Sequence, residues 1–213
     1  MKTQTLLNSI FCTAFIALLL SVVPCDAANP KGSFTDARDK KTYKTVKIGE
    51  QVWMAENLNY NADSSKCYEN QESNCQKYGR LYDWETAMKA CPQGWHLPSD
   101  AEWQTLVDLA DGDKVAGKVL KASSGWTKPD GWNINSNGTD EFGFSALPGG
   151  YGYSDGIFRY VGNFGHWWSS SATEHTEYNI IGAYYRSMDF LNKNVNRDIL
   201  RNSYLFSVRC LQN

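Results

Sequence analysis

The chain has 213 residues, 42% of them hydrophobic, and 21 Lys and Arg against 23 Asp and Glu give a formal net charge of −2. That length holds one domain with extensions, and the apolar share is enough for a sizeable core. The near-neutral balance, with no basic run, excludes a nucleic-acid surface built on charge and gives no sign of a charged tail. Eight Trp, twelve Tyr and 17 Gly predict short elements joined by turns, with aromatic rings supplying much of the packing.

Residues 1–27 read as a secretory signal. Lys2 supplies the leading charge, Ile10 to Val23 is an uncharged apolar run, and Cys25-Asp26-Ala27 ends in a small residue. The run is short for a membrane span, so no transmembrane helix is expected in the mature chain. Val22-Val23-Pro24-Cys25 is also similar to a lipoprotein box, although Pro24 stands where a small residue is usual. The expectation is an extracellular protein or one on the outer surface of the cell envelope. Lipid anchoring at Cys25 is the alternative.

Cys12 lies in the signal and Cys25 at its end, which leaves Cys67, Cys75, Cys91 and Cys210. An even number suits disulfides in an oxidising compartment. Of the three formal pairings, local spacing favours Cys67–Cys75 across the polar loop Tyr68 to Asn74. Cys91–Cys210 is then a clasp between a helix and the C-terminus. No pair has CxxC spacing and the three His are scattered, which argues against zinc.

In chain order, residues 28–38 are polar and read as a linker, leaving one domain over 39–213. Thr42 to Ile48 alternates, Gly49-Glu50 fits a two-residue turn with Gly first, and Val52 and Met54 resume the alternation, so a hairpin is predicted. A helix is predicted over about 82–90, with Trp84, Ala87, Met88 and Cys91 on one face. Ser99-Asp-Ala-Glu102 is a capping box, with the Ser99 hydroxyl facing the Glu102 N–H and the Glu102 carboxylate facing the Ser99 N–H. It opens a helix over about 100–110 whose buried face is Trp103, Leu106, Val107 and Ala110. A short third helix carries Val115, Ala116, Val119 and Leu120 on one side. From Ser123 the glycines exclude long helices. A structured loop to Tyr151 is predicted, then antiparallel strands at 158–161, 166–169, 180–190 and 204–210, the last beside the first hairpin.

These blocks resemble a known family. Trp84-x-x-Ala87-x-x-x-Cys91-Pro-x-Gly-Trp95-His-Leu-Pro98-Ser-Asp-x-Glu102-Trp103-x-x-Leu106 is similar to the hallmark of the Fibrobacter succinogenes major paralogous domain. So are Ile48-Gly-x-Gln-x-Trp53-Met-x-Glu-Asn57-Leu58, Ala116-Gly-Lys-x-Leu120-Lys, Gly125-Trp126, Phe142-Gly-Phe-Ser-Ala-Leu-Pro-Gly-Gly150, Trp167-Trp168-Ser-Ser and Ser207-Val-Arg-Cys210. The match covers about 36–210. More distantly, the helix–cysteine–cap arrangement resembles C-type lectin-like domains and the formylglycine-generating-enzyme fold. The resemblance implies an α+β, C-type-lectin-like domain, with two main helices packed on a twisted antiparallel sheet, adjacent chain ends and a long loop region. The Cys91–Cys210 clasp matches the disulfide that closes such domains, and it is expected to leave the glycine-rich middle displayed. For the family, the resemblance implies an exported protein of no settled activity.

The sugar-gripping calcium triplets of lectins are absent. Asn133, Asn135, Asn137 and Asp140 are the residues a weak cation site would use, against a plain run of turns. The reactive cysteine pair of the formylglycine-generating enzymes has no counterpart, His96, His166 and His175 read as packed or solvated, and Asp100 and Glu102 are accounted for by capping. The third chemistry is stacking of aromatic rings on a ligand, and its candidates are Trp126, Trp132, Tyr151, Tyr153, Phe158, Tyr160 and Trp168. The sequence therefore points to a non-catalytic binding or adhesion module for a glycan or a surface partner. An enzyme re-using the fold, or a structural envelope protein, are the alternatives.

Overall fold

A computed structural model describes residues 29–128, 130–175 and 180–213. The proposed signal and Cys25 lie outside them. The chain runs β1 (Lys31–Thr35), β2 (Thr42–Ile48), β3 (Gln51–Met54), a 3-10 turn at Tyr68–Asn70, α1 (Glu72–Tyr78), β4 (Leu81–Tyr82), α2 (Trp84–Ala90), β5 (Trp95–His96), α3 (Asp100–Leu109), α4 (Ala116–Leu120), β6 (Tyr151–Gly152), β7 (Phe158–Arg159), β8 (Phe164–His175), β9 (Ile180–Asp189), β10 (Asn196–Arg201), β11 (Phe206–Ser207) and β12 (Leu211–Gln212). The fold is mixed α+β.

The first hairpin forms as its alternation dictates. Val46 pairs with Trp53 and Ile48 with Gln51, and Gly49 turns the corner with φ at +58°, a backbone that glycine takes without a Cβ penalty. The last strand returns to it, because β12 lies between β3 and β5. These strands and β1 form one five-stranded sheet. The second sheet has the order β10–β9–β8–β11–β4.

The two larger hydrophobic cores lie one on each face of β8, and a smaller cluster of Tyr68, Leu81, Phe158 and Leu205 stands beside them. Trp167 joins Trp53, Trp103, Leu106, Phe144 and Met188, while Trp168 joins Met54, Tyr82, Ala87, Tyr185 and Phe206. Successive strand residues face opposite ways, so the Trp167-Trp168 pair is buried completely only because both faces are covered. The Trp167 indole N–H reaches Asn57 Oδ1 at 2.9 Å, and the Trp168 indole N–H reaches the Tyr82 carbonyl at 2.9 Å.

The corner between the helices is built as its residues specify. Asp83 caps α2 by accepting from the Thr86 N–H, and both halves of the Ser99–Glu102 capping box form. Trp103, Leu106, Val107 and Ala110 are all fully buried. The disulfides are Cys67–Cys75 and Cys91–Cys210, with Cα–Cα distances of 5.0 and 5.9 Å.

The structure departs from the sequence pattern at several places. The polar stretch 28–38 is not a free linker, for β1 pairs with β2 from Lys31↔Val46 to Thr35↔Thr42. Its polar sequence follows from its position, an edge strand exposed along most of its length. A helix, α1, fills the Cys67–Cys75 loop, where only Cys75 and Tyr78 are buried and no apolar stripe announces it. Met88 is exposed because the buried side of the short α2 is Ala87 and Ala90. Val115 stands outside α4 as its cap and is also exposed. Among the described residues there are three sheets instead of one, two of five strands and the two-stranded β6–β7 pair, and β11 pairs with β8 in parallel at Ser207↔Trp167.

The glycine-rich middle is not displayed as a whole. Phe144 and Ala146 are fully buried in the first core. The exposed part is narrower, chiefly 127–128, 130–135 and 153–160 apart from the buried Phe158.

Candidate binding surface

The two sheets are joined at a polar hub inside the protein. Arg209 is fully buried and donates from Nε and Nη2 to Asn57 Oδ1, and from Nη1 to the carbonyls of Met54 and Phe144. Its guanidinium carbon lies 4.4 Å from the centre of the Phe144 ring. Burial pushes the Arg209 pKa down to about 9, which leaves the side chain charged at neutral pH. Asn57 Nδ2 donates to the Tyr78 carbonyl at 2.8 Å and to Ser207 Oγ at 3.3 Å. The Asn57, Phe144, Trp167 and Ser207–Arg209 blocks of the sequence signature thus meet at one point. The hub fixes β8, which carries Phe164 and His166, against β11, which carries Phe206.

On the second-core face of β8, Phe164, His166 and Trp168 alternate toward the same side. Trp168 is covered, but toward Phe164 the cover thins and rings from several segments line up. Tyr204 meets Tyr153 at 5.0 Å between ring centres, Tyr153 meets Tyr151 at 5.4 Å, and Tyr151 meets Tyr160 at 5.9 Å. Tyr160 meets Phe164 at 5.1 Å, Phe164 meets Phe190 at 6.2 Å, and Phe190 meets Trp132 at 5.8 Å. The result is a continuous aromatic strip. Tyr160 is 52% exposed and Trp132 45% exposed, and the intervening rings are half-buried.

Below the strip lies His166, stacked on Phe206 at 4.9 Å and touched by the edge of Tyr151 at 4.9 Å. Burial lowers its pKa to about 3, so the imidazole is neutral, and its Nδ1 has no hydrogen-bond partner among the described residues. Burial and the adjacent Tyr153 hydroxyl, 3.3 Å away, push the Tyr151 phenol well above its ordinary value.

Tyr160 holds its place in a left-handed backbone, φ +63°, which is uncommon for a bulky side chain. The turn is tied down from the neighbouring loop. Thr127 N–H and its hydroxyl both bond the Gly162 carbonyl, at 2.7 and 3.0 Å, and Asn163 Nδ2 donates to the Thr127 carbonyl at 2.9 Å. Strain of this kind persists where surrounding contacts hold it, and it gathers at working surfaces.

Of the seven aromatic candidates, Trp132, Tyr151, Tyr153 and Tyr160 are brought together in the strip. Trp126, Phe158 and Trp168 are not available to a ligand. The Trp126 indole is turned inward to donate to the Ala146 carbonyl, Phe158 packs on Tyr68, and Trp168 is fully buried. Reasoning from sequence missed Phe164, Phe190 and Tyr204. Their only signal was aromatic identity, since tertiary packing alone brings them beside the others.

The oxygen cluster is committed to its own loop. Asn135 Oδ1 accepts from the Asn137 N–H, Asn137 Oδ1 accepts from the Trp126 N–H, and Asp140 accepts from the Ser145 N–H and hydroxyl at 2.7 and 2.6 Å. Asn133 enters none of these bonds. Among the described residues, the one group of three His, Cys or acidic side chains close enough to share an ion is Cys67, Glu72 and Cys75, whose sulfurs form a disulfide.

The acidic residues of the helical corner are also accounted for. Burial opposes ionisation of Glu102, but hydrogen bonds from Ser99 and His96 prevail and hold its carboxyl below the usual range. Asp100 bridges the buried Arg186 and the exposed Arg197, each at 2.8 Å. The His175 side chain lies outside the described residues.

Fold and surface together define a disulfide-clasped α+β domain with an aromatic strip across one end of its second sheet. Residues 46–212 match the family model described as the Fibrobacter succinogenes major domain, and the chain belongs to that family. No curated protein and no solved structure matches it.

Proposed function

We propose that the protein is an exported, non-catalytic binding or adhesion module that holds a glycan on the aromatic strip. The reading includes a C-type-lectin-like architecture. Its support is the placement of the early hairpin and the last strand in one sheet, and the Cys91–Cys210 bond that ties a helix end to that strand. The two disulfides suit an oxidising compartment. No described helix is long and apolar enough to cross a membrane.

The observation that carries the proposal is the strip itself. Folding ordinarily hides aromatic rings, and here a row of them from separate segments reaches the surface around the strained Tyr160. A sugar ring has one face of C–H bonds, weakly positive, which complements the negative face of an aromatic ring. Its hydroxyls can meet the tyrosine hydroxyls at the strip's edge. Tyrosine also gives a large contact area with little side-chain entropy to lose.

The test is retention in gels that contain soluble polysaccharides. Wild-type protein is expected to be retarded by at least one of them, and Tyr160→Ala and Trp132→Ala to migrate freely while remaining folded. Equal retardation of both variants and wild type would overturn the proposal.

A further inference from the structure

A cleft begins where the strip ends at Tyr153 and Tyr204. A hollow of about 510 Å³ lies between Asp83 and Glu85 at the start of α2 and Ser154 and Asn202 opposite. It shares Asp83 and Glu85 with a second hollow of about 430 Å³ that extends along α2 to Lys89. On its other side it shares Lys66, Ser154 and Leu205 with a third of about 220 Å³, which includes Tyr153. The three form one cleft that runs from the strip to α2. Its floor is Leu205, 5% exposed and held by paired backbone hydrogen bonds with Gly152.

We infer that this cleft is a subsite for a neutral, hydroxyl-rich sugar unit at one end of the glycan on the strip, and that it excludes acidic glycans. The inference rests on the glycan reading above and adds the class of sugar. The hollow beside the strip ends against an aromatic ring, Tyr153, which suits a chain continuing from stacked contacts into polar ones. Walls of serine hydroxyls, amides and carboxylates offer both donors and acceptors, as a ring of hydroxyls requires. Asn202 directs its amide N–H to Glu85 at 3.5 Å, while its carbonyl oxygen has no partner among the described residues.

The charge inside the cleft decides against polyanions. Asp63, Asp83, Glu85 and Asp155 give four negative charges against two positive ones from Lys66 and Lys89, four minus two, a surplus of two. The salt bridges among the described residues involve none of these six side chains. A uronic acid carboxylate would therefore enter a field of its own sign, lose its water and find no arginine to receive it. A neutral sugar loses nothing by the same field and gains acceptors for its hydroxyls.

The experiment compares retention on neutral polymers, galactomannan and hydroxyethyl cellulose, with retention on acidic ones, polygalacturonate and alginate. It uses the wild type, Tyr160→Ala, and the double variant Asp63→Asn with Glu85→Gln, whose two side chains support neither a helix cap nor the core. Wild type is expected to bind a neutral polymer at least about tenfold more tightly than the acidic ones. The double variant should narrow that gap by gaining affinity for the acidic polymers, while staying folded with a melting temperature lowered by a few degrees at most, since Glu85 lies in the first turn of α2. Equal retention of acidic and neutral polymers by wild type would overturn the inference, as would a gap that the double variant leaves unchanged. If Tyr160→Ala abolishes retention while the double variant keeps the wild-type discrimination, the strip remains the binding surface and the cleft inference falls. If no polymer retards the wild type, the glycan reading itself falls.

Discussion

Asn57 Oδ1 accepts from both Nε and Nη2 of Arg209, at 3.1 and 2.9 Å, across 152 positions of sequence. Among the described residues no carboxylate bonds to this buried cation. Its charge is met by an amide oxygen, backbone carbonyls and an aromatic face. Removing it strands several buried acceptors at once. Arg209→Lys, which lacks the planar fork, and Asn57→Ala are each expected to destabilise the protein by about 3 kcal/mol or more. In a double-mutant cycle read by urea denaturation, the double variant should cost well under the sum of the two, because both remove the same bonds.

The two disulfides close loops of very different length, with sequence separations of 8 and 119. On the chain-entropy argument the short one contributes at most about 2.5 kcal/mol and the long one at most about 5 kcal/mol. Replacing Cys91 and Cys210 together by Ser should therefore lower the midpoint of thermal unfolding more than the same change at Cys67 and Cys75. Calorimetry checks the order.

His166 makes stability depend on pH in the acid range. Its folded pKa is depressed to about 3 from the ordinary 6.5, because burial disfavours the charged ring. Between those values the unfolded chain binds more protons than the folded one, so stability rises with pH. The contribution is fully present above about 6.5 and is lost as pH falls toward about 3. His166→Phe, which keeps the stacking and removes the titration, should flatten the curve through that window. Denaturation midpoints at a series of pH values measure it.

Tyr160 separates binding from stability. Glycine at this position relieves the left-handed backbone and removes the exposed ring. Relief of strain is worth about 1 kcal/mol, and the lost ring contacts with Tyr151 and Phe164 are of similar size. Tyr160→Gly is therefore expected to change stability by less than about 1 kcal/mol while lowering glycan affinity at least about tenfold. Chemical denaturation and titration calorimetry on the same sample provide the comparison.

Local signals were legible in the sequence. The Ser99–Glu102 cap, the Trp103 face and the first hairpin depend on neighbours within a few residues, and all three form as expected. The edge strand β1 and helix α1 were not legible, since neither buries an apolar stripe. The strip was half legible. Tyr151, Tyr153 and Tyr160 lie close in sequence, whereas Phe190 and Tyr204 reach it only through the order of strands in the second sheet. Trp126 and Trp168 misled because composition shows an aromatic ring without showing which way it points.

Trp132 gives the most direct test of the strip as a binding surface. It is the exposed tryptophan at one end of the strip, while the other seven are buried or half-buried. In a fluorescence titration with a neutral polysaccharide that retards the wild type, emission should shift to the blue and become shielded from iodide, and Trp132→Phe should lose most of that response. An identical response in Trp132→Phe, or binding by calorimetry with no change in wild-type emission, would contradict a ligand lying across these rings.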